Sequence, residues 1–221
     1  MKNNNNKGFT LIELLAVIII LGVLMMTAIP AVTKYIENSR KDTFWQTAKS
    51  YIDAARTPLL NGEYQVKKSN FTGIAAGDDC DLPPAGTKTS SSNVHYYTSI
   101  DIKDIDLEKG KGKSSFNRTL GQSAGQGYVL VVNKATIDST VSPAVTNPKD
   151  NIVYYFAGVD SGNNGIGTFT AESNLKRASV KKGNASKTSI NKIKTNTTST
   201  TLSTITIDSI EYTLYQHCTA K

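Results

Sequence analysis

Few residues in this chain could carry chemistry, and their spacing limits what each could do. Histidine occurs twice, at His95 and His217, in neither metal-ligand nor triad spacing. Lys109-Gly110-Lys111-Gly112-Lys113-Ser114 has the composition of a phosphate loop. It lacks the G-x-x-x-x-G-K-[ST] spacing that wraps backbone N–H groups and a lysine around a phosphate, so it reads as a flexible basic turn. Asp160-Ser161-Gly162-Asn163-Asn164-Gly165 is rich in oxygen donors and partly resembles a calcium loop. Calcium wants more carboxylates, and Glu172 is the only acid in the following dozen residues, so a hairpin turn is the preferred reading. Asp78-Asp79-Cys80-Asp81 reads as a hydrated turn. No constellation for nucleophilic, acid–base or metal chemistry emerges, and the chain is read as a non-enzyme without cofactor or metal.

The exception is one carboxylate in an unusual place. From Phe9 to Ile29 there are 21 residues, and Glu13 is the only charged one. A helix of that length rises about 31 Å, enough to cross the hydrocarbon core of a bilayer. A charge at mid-membrane costs about 2.5–3.5 kcal/mol on insertion scales, less near an interface. A plain anchor explains the length of the run but not Glu13; a carboxylate snorkelling to the headgroups is the bland alternative. A secretory signal peptide fits poorly, because the run is long, carries an acid near its start and is not followed by an A-x-A-like triplet.

The stretch Met1-Lys2, Asn3 to Asn6, Lys7-Gly8, then Phe9-Thr10-Leu11-Ile12-Glu13-Leu14-Leu15 resembles the N-terminus of type IV prepilins and the related pseudopilins. Their hallmark is a short basic leader ending in Gly, then Phe-Thr-Leu-x-Glu-Leu and a hydrophobic run. Pro30 matches the proline common about twenty residues after the family's cleavage point, where the lost N–H invites a kink. The resemblance covers roughly residues 1–60.

It implies that a prepilin peptidase cuts after Gly8 on the cytoplasmic face and methylates the new amine of Phe9. Glycine suits a cut site, having no side chain to obstruct an extended backbone in a protease cleft. Glu13 then lies one turn from that amine, and in a filament is expected to meet the Phe9 amine of a neighbouring subunit. In a low-dielectric core the two charges attract far more strongly than in water, and each is costly to bury alone, so the pair sets register. The chain has only two cysteines, Cys80 and Cys218. Because the family exports its domain, the resemblance implies that they are paired.

These groups need elements to hold them. Beyond Pro30, Val32, Tyr35, Ile36, Phe44, Ala48, Tyr51, Ile52, Ala55 and Leu59 recur at intervals of mostly three and four, an apolar stripe. Asn61-Gly62 supplies a stop. One long helix, kinked or loosened at Pro30, is expected from about Phe9 to Leu60. Strands are expected at 94–100, 128–134, 152–157, 204–208 and 210–215, with Pro143 and Pro148 bracketing the loop between the second and third. The continuous apolar run Tyr128 to Val132 suits a central strand. The expected fold is α+β, a long N-terminal helix packed against an antiparallel sheet. The expected organisation is a leader at 1–8, a transmembrane or filament-core helix at 9–30, an amphipathic half at 31–60 and an exported domain at 61–221.

Charge is uneven along the chain. The net charge is +7 and falls to +5 once Lys2 and Lys7 leave with the leader. Residues 78–108 are acidic, with Asp78, Asp79, Asp81, Asp101, Asp104, Asp106 and Glu108. Between Ser173 and Ile207 there is no acid, and Lys176, Arg177, Lys181, Lys182, Lys187, Lys192 and Lys194 are basic. That stretch, with Asn184 to Ser186 and the run Thr197 to Thr201, reads as a solvated loop. It could meet DNA or an anionic surface, though it lacks interleaved aromatics for base stacking. It could also meet the acidic region of the next subunit.

The resemblance implies a structural subunit of a type IV pilus serving adhesion, twitching motility or surface contact. It would reside in the cell membrane as a single-pass protein with its N-terminus cytoplasmic, then in an extracellular filament. Its partners would be other pilins, the prepilin peptidase and the assembly machinery. A minor or tip pilin with an adhesive or DNA-binding role, which the length and the basic stretch suit, and a pseudopilin of a type II secretion or competence system are the alternatives.

Overall fold

Between Gly22 and Asn61-Gly62 the sequence offers no glycine, and the chain responds with a single α-helix, α1 (Leu11–Leu60). The structure, a computed structural model, describes residues 9–89, 92–107, 113–120, 126–138, 151–198 and 204–221. The leader through Gly8, Glu108 to Gly112, Pro143, Pro148 and Ser199 to Thr201 lie outside the described residues. The helix continues through Pro30, which has no N–H to offer the Met26 carbonyl. It stops where expected. Gly62 adopts φ 69°, and the Glu63 N–H reaches back to the Pro58 carbonyl at 2.9 Å, a left-handed C-terminal cap that glycine makes without steric cost.

The chain divides into two units, residues 1–40 and 41–221. In the first, the apolar side chains are exposed throughout, from Phe9 at 87% to Tyr35 at 75%. Here the expected stripe needs correction. Val32, Tyr35 and Ile36 are exposed, and burial along α1 begins only at Phe44. The cause is simple: those three residues have nothing to pack against among the described residues of their unit.

In the second unit, α1 residues Phe44, Ala48, Tyr51, Ile52, Ala55 and Leu59 are buried against one face of a sheet. Its strands are β1 (Tyr64–Ser69), β2 (Gly86–Lys88), β3 (Asn93–Asp101), β4 (Gln126–Asn133), β5 (Thr136–Asp138), β6 (Ile152–Val159), β7 (Gly165–Ala171), β8 (Thr204–Ile207) and β9 (Ile210–Ala220). The order is β1-β9-β3-β4-β6-β7, with β8 beside β9, the short β2 beside β3 and the short β5 beside β2. Most pairings are antiparallel, as expected. β3 and β9 run parallel, His95 opposite Tyr212 and Ile100 opposite Cys218, as do β2 and β5. The sheet is therefore mixed.

Strand alternation sends successive side chains of β4 to opposite faces. Val129 and Val131 join the core under α1. Tyr128, Leu130 and Val132 join a second core with Phe169, Tyr212 and Leu214. Both faces are covered, which is why residues 128–132 read as an unbroken apolar run. The cover on the second face is a correction to the sequence reading. The basic Ser/Thr-rich stretch contains helix α2 (Thr188–Thr198), and Ile190 and Ile193 are fully buried in the second core. Two isoleucines three residues apart in a run of Asn, Thr and Lys make too weak a period to announce a helix. Its order comes from packing.

Cys80 and Cys218 form a disulfide spanning 138 residues of sequence. Cys218 sits between Val66 of β1 and Ile100 of β3, and the Cys80 N–H donates to the Tyr64 carbonyl at 3.0 Å. The bridge thus ties the segment flanking β1 to the interior strand beside it. Replacing both cysteines by serine should lower unfolding stability by about 2–5 kcal/mol, read as a shift in denaturant midpoint of the oxidised protein. An unchanged midpoint would show that the bridge adds nothing.

His217 is buried beside Ser99, whose Oγ lies 3.0 Å from Nδ1. Burial, with help from Lys67 and Lys103, pushes its pKa down to about 4. The unfolded chain takes up this proton near pH 6.5 and the folded chain only near 4, so stability falls as the pH drops through that window. The loss should be on the order of 3 kcal/mol. Unfolding followed by fluorescence of Trp45, the only tryptophan, should show it, and His217→Gln should flatten the profile between those two pH values.

Candidate functional site

A helix leaves its first N–H groups without intrahelical partners, and the start of α1 meets that demand with its one carboxylate. Thr10 precedes the helix. Its Oγ1 accepts the Glu13 N–H at 3.3 Å. In return, Glu13 Oε2 accepts the Thr10 N–H at 2.9 Å and the Thr10 hydroxyl at 2.9 Å. This reciprocal arrangement is a capping box. The T-x-x-E spacing is present in the sequence, but reading Glu13 as a charge awaiting an amine leaves Thr10 without a role. A carboxylate beside the positive end of the helix dipole is also favourably placed. Both of these bonds fall on Oε2, and Glu13 Oε1 has no partner among the described residues.

Phe9 is exposed beside this cap, and the apolar run from Leu11 to Ile29 follows it. That helix is long and apolar enough to cross a membrane. Thr27, the other polar side chain of that run, and Thr33 just beyond it satisfy their hydroxyls on the backbone carbonyls of Leu24 and Ile29, each at 2.9 Å. The surface presented to surroundings is therefore apolar with one charged group at its head. Such a surface suits lipid or other apolar helices.

Residues 3–29 match the family described as "Prokaryotic N-terminal methylation motif". The chain is 35% identical over 126 residues to fimbrial protein Q of Moraxella bovis, covering 56% of this chain and 74% of that protein. It belongs to the type IV pilin family. It is also 28% identical over 156 residues to the type IV major pilin protein PilE of Neisseria gonorrhoeae, covering 68% of this chain and 83% of PilE. Identity to the type IV major alpha-pilin of Moraxella bovis is 36% over 94 residues, covering 39% of this chain and only 58% of that relative. No solved structure matches. Pilins are structural proteins and not enzymes, and a membrane stage followed by a pilus stage is typical of the family.

The other groups singled out in the sequence fall in separate places. His95 lies opposite Tyr212 and His217 opposite Ser99, on neighbouring strands but far apart in register. The Asp160–Gly165 segment is the turn between β6 and β7, with Asn163 at φ 57°. Asp160 is fully buried. Its Oδ1 accepts the N–H groups of Gly162 at 2.8 Å and Asn164 at 2.9 Å, and its Oδ2 accepts the Ser114 hydroxyl at 2.5 Å. The Asn164 amide donates to both oxygens. A carboxylate ringed by donor hydrogens is spoken for by the turn, as the hairpin reading expected.

In the basic stretch, Lys176, Lys181 and Lys192 are exposed. Arg177 departs from the expected surface role. Its Nε donates to Asp42 Oδ1 of α1 at 2.7 Å, holding the carboxyl below the usual carboxylate range. Arg56 of α1 stacks over the Tyr154 ring, 4.6 Å from its centre, and reaches Glu172 at 2.6 Å. No local pattern announces the two ion pairs, because each joins residues more than a hundred positions apart.

Truncating Asp160 would strand the Ser114 hydroxyl, the Asn164 amide and two backbone N–H groups. Asp160→Ala should cost roughly 3–5 kcal/mol, while calcium should leave the melting temperature of the unsubstituted protein unchanged. A calcium-dependent rise of several degrees would overturn the assignment of Asp160 to the turn alone.

Proposed function

We propose that this chain is a major structural subunit of a type IV pilus, assembled through residues 9–30 of α1 after removal of the leader at Gly8. The observation that carries this reading is a membrane-length apolar helix surface whose single charge, Glu13, sits at its capped start. The names of the similar proteins from Moraxella and Neisseria, two of them major pilins, support a major subunit over the minor or tip alternative.

Before assembly the subunit crosses the cell membrane once, its N-terminus cytoplasmic and its β-sheet domain outside. The apolar run then exchanges lipid for the helices of other subunits. Cleavage gives Phe9 a free amine, the substrate for N-methylation. That cation next to the helix start is unfavourable with respect to the helix dipole, and a carboxylate within reach corrects it. Glu13 serves its own Thr10 through Oε2, which leaves Oε1 for the Phe9 amine of a neighbouring subunit. An incoming subunit in the wrong axial position would bury an uncompensated charge, and breaking such a pair costs several kcal/mol. Pro30 loosens the helix where the lost hydrogen bond allows it. Prepilin peptidase and the pilus assembly machinery are the enzymatic partners this route requires.

The test compares sheared surface fractions. Glu13→Val should leave the subunit cleaved and inserted in the membrane but lower recovered filaments at least ten-fold. Gly8→Trp should leave an uncleaved precursor, heavier on a gel. Normal filaments from the Glu13→Val protein would sink the registry role, and the absence of the unsubstituted chain from sheared filaments would sink the pilus reading.

A further inference from the structure

The two outer sides of the sheet carry opposite charge. In the strand order β1-β9-β3-β4-β6-β7, β1 and β7 are separated by five spacings, about 24 Å. Segment 77–80 lines β1: the Gly77 N–H donates to the Val66 carbonyl, the Val66 N–H to Asp78 and the Cys80 N–H to Tyr64. Around this side lie Glu63, Asp78, Asp79, Asp81, Asp101, Asp104 and Asp106, against Lys67, Lys68, Lys103 and Lys221. Lys221 pairs with Asp79 at 2.6 Å and Lys103 with Asp101 at 3.2 Å, which reduces the negative excess without reversing it. Tyr64 of β1 registers that excess. Its hydroxyl is pushed up to about 12 by burial and by Asp104, Glu63 and Asp106.

The β7 side is the converse. Segment 181–186 lies along β7, with Lys181 and Gly165 exchanging backbone bonds at 2.8 Å. The approach is so close that a Cβ on Gly167 would sit 1.9 Å from the Ser186 carbonyl oxygen. α2 follows. Between residues 172 and 194 there are seven cations and one acid, Glu172. Glu172 is occupied by Arg56 and Arg177 by Asp42 of α1; the other six cations are lysines. Backbone already lines both outer strands over these stretches, so the sheet does not grow there by adding a strand from another molecule. What each side presents to a neighbour is side chains, of opposite sign on opposite sides.

We infer that the acidic β1 side of one subunit docks against the basic β7–α2 side of a second copy of this chain. Such a contact is heterologous, one face meeting a different face, and heterologous contacts that do not close into a ring propagate as helical filaments. Complementary charge steers the encounter and fixes the register, and like-charged sides repel the reversed pairing. The contact is sensitive to ionic strength, because the lysines Lys176, Lys181 and Lys192 and the acids Asp79, which also holds Lys221, and Asp81 are all exposed to solvent. This inference rests on the pilus reading.

Charge reversal with rescue tests it in cells making the full chain. Asp79→Lys with Asp81→Lys, and separately Lys181→Glu with Lys192→Glu, should each lower sheared filaments at least ten-fold, while the cleaved subunit persists in the membrane with its disulfide formed. Combining all four substitutions should restore filaments to within two- to three-fold of the unsubstituted chain. Where a reversed pair fails to fold, the neutral pair Asp79→Asn with Asp81→Asn replaces it and should abolish the dependence of filament recovery on salt. Full assembly of either reversed pair, failure of the combination to restore, or salt dependence unchanged in the neutral pair overturns the interface. So does a basic pair that assembles normally but loses salt-sensitive retention of DNA by sheared filaments, since the lysines would then serve nucleic acid. In all these cases the unsubstituted chain still forms filaments, which leaves the pilus reading standing. Its absence from filaments overturns both.

Discussion

Apolar surface that the chain cannot bury by itself is the constraint on which the rest of this molecule depends. The exposed side chains from Phe9 to Ile36 include leucines, isoleucines and valines, each worth roughly 1.5–3 kcal/mol when removed from water. No element among the described residues of their own unit covers them. A sequence of this kind persists only if something outside the molecule takes up that surface. In such surroundings every polar group on the helix needs a reason or a partner. Thr27 and Thr33 return their hydroxyls to the helix backbone, and Thr10 and Glu13 serve each other. Among the described residues of the apolar run from Leu11 to Ile29, what is left unmet is one carboxylate oxygen of Glu13.

The sheet domain solves the ordinary version of the same problem with its own residues. α1 covers one face of the sheet, and α2 covers the other. The central strand β4 contributes to both cores. Ion pairs between Asp42 and Arg177, and between Arg56 and Glu172, join α1 to the segments that follow β7. Partly exposed pairs of this kind add little net stability. They fix where those segments sit, and so where the lysines beyond them are displayed.

The parts of the fold legible in the sequence are those where one periodicity dominates. The helix from Leu11 to Leu60 declares itself by length and by the stop at Asn61-Gly62, and β4 and β6 by unbroken apolar runs. β1 and β7 do not, because Tyr64-Gln65-Val66-Lys67-Lys68-Ser69 and Gly165-Ile166-Gly167-Thr168-Phe169-Thr170-Ala171 mix polar and glycine residues at outer positions, where alternation is weak. α2 is hidden for a different reason: its helicity depends on the burial of Ile190 and Ile193, a tertiary effect with no local signature. At the site, Glu13 stands out by its isolation. Its partnership with Thr10 is written in the spacing and is easily passed over, because a charge in an apolar run draws attention to absent partners before present ones. The stripe over-reaches in the other direction, since a helical period shows which face is apolar and not whether anything covers it.

The placement of β9 bears on the timing of folding. This late strand pairs with β1 and β8 along one edge and with β3 along the other, and it carries Cys218 to within two residues of the last described strand residue, Ala220. These contacts join distant parts of the domain, so the sheet cannot close around its middle until β9 has emerged. Long-range pairing of this kind is slow and cannot begin early. During synthesis, β1 and β3 therefore wait for the strand that pairs with both of them. The order of translation itself delays closure, and a truncation that removed β9 would leave β1 and β3 without the strand that stands between them.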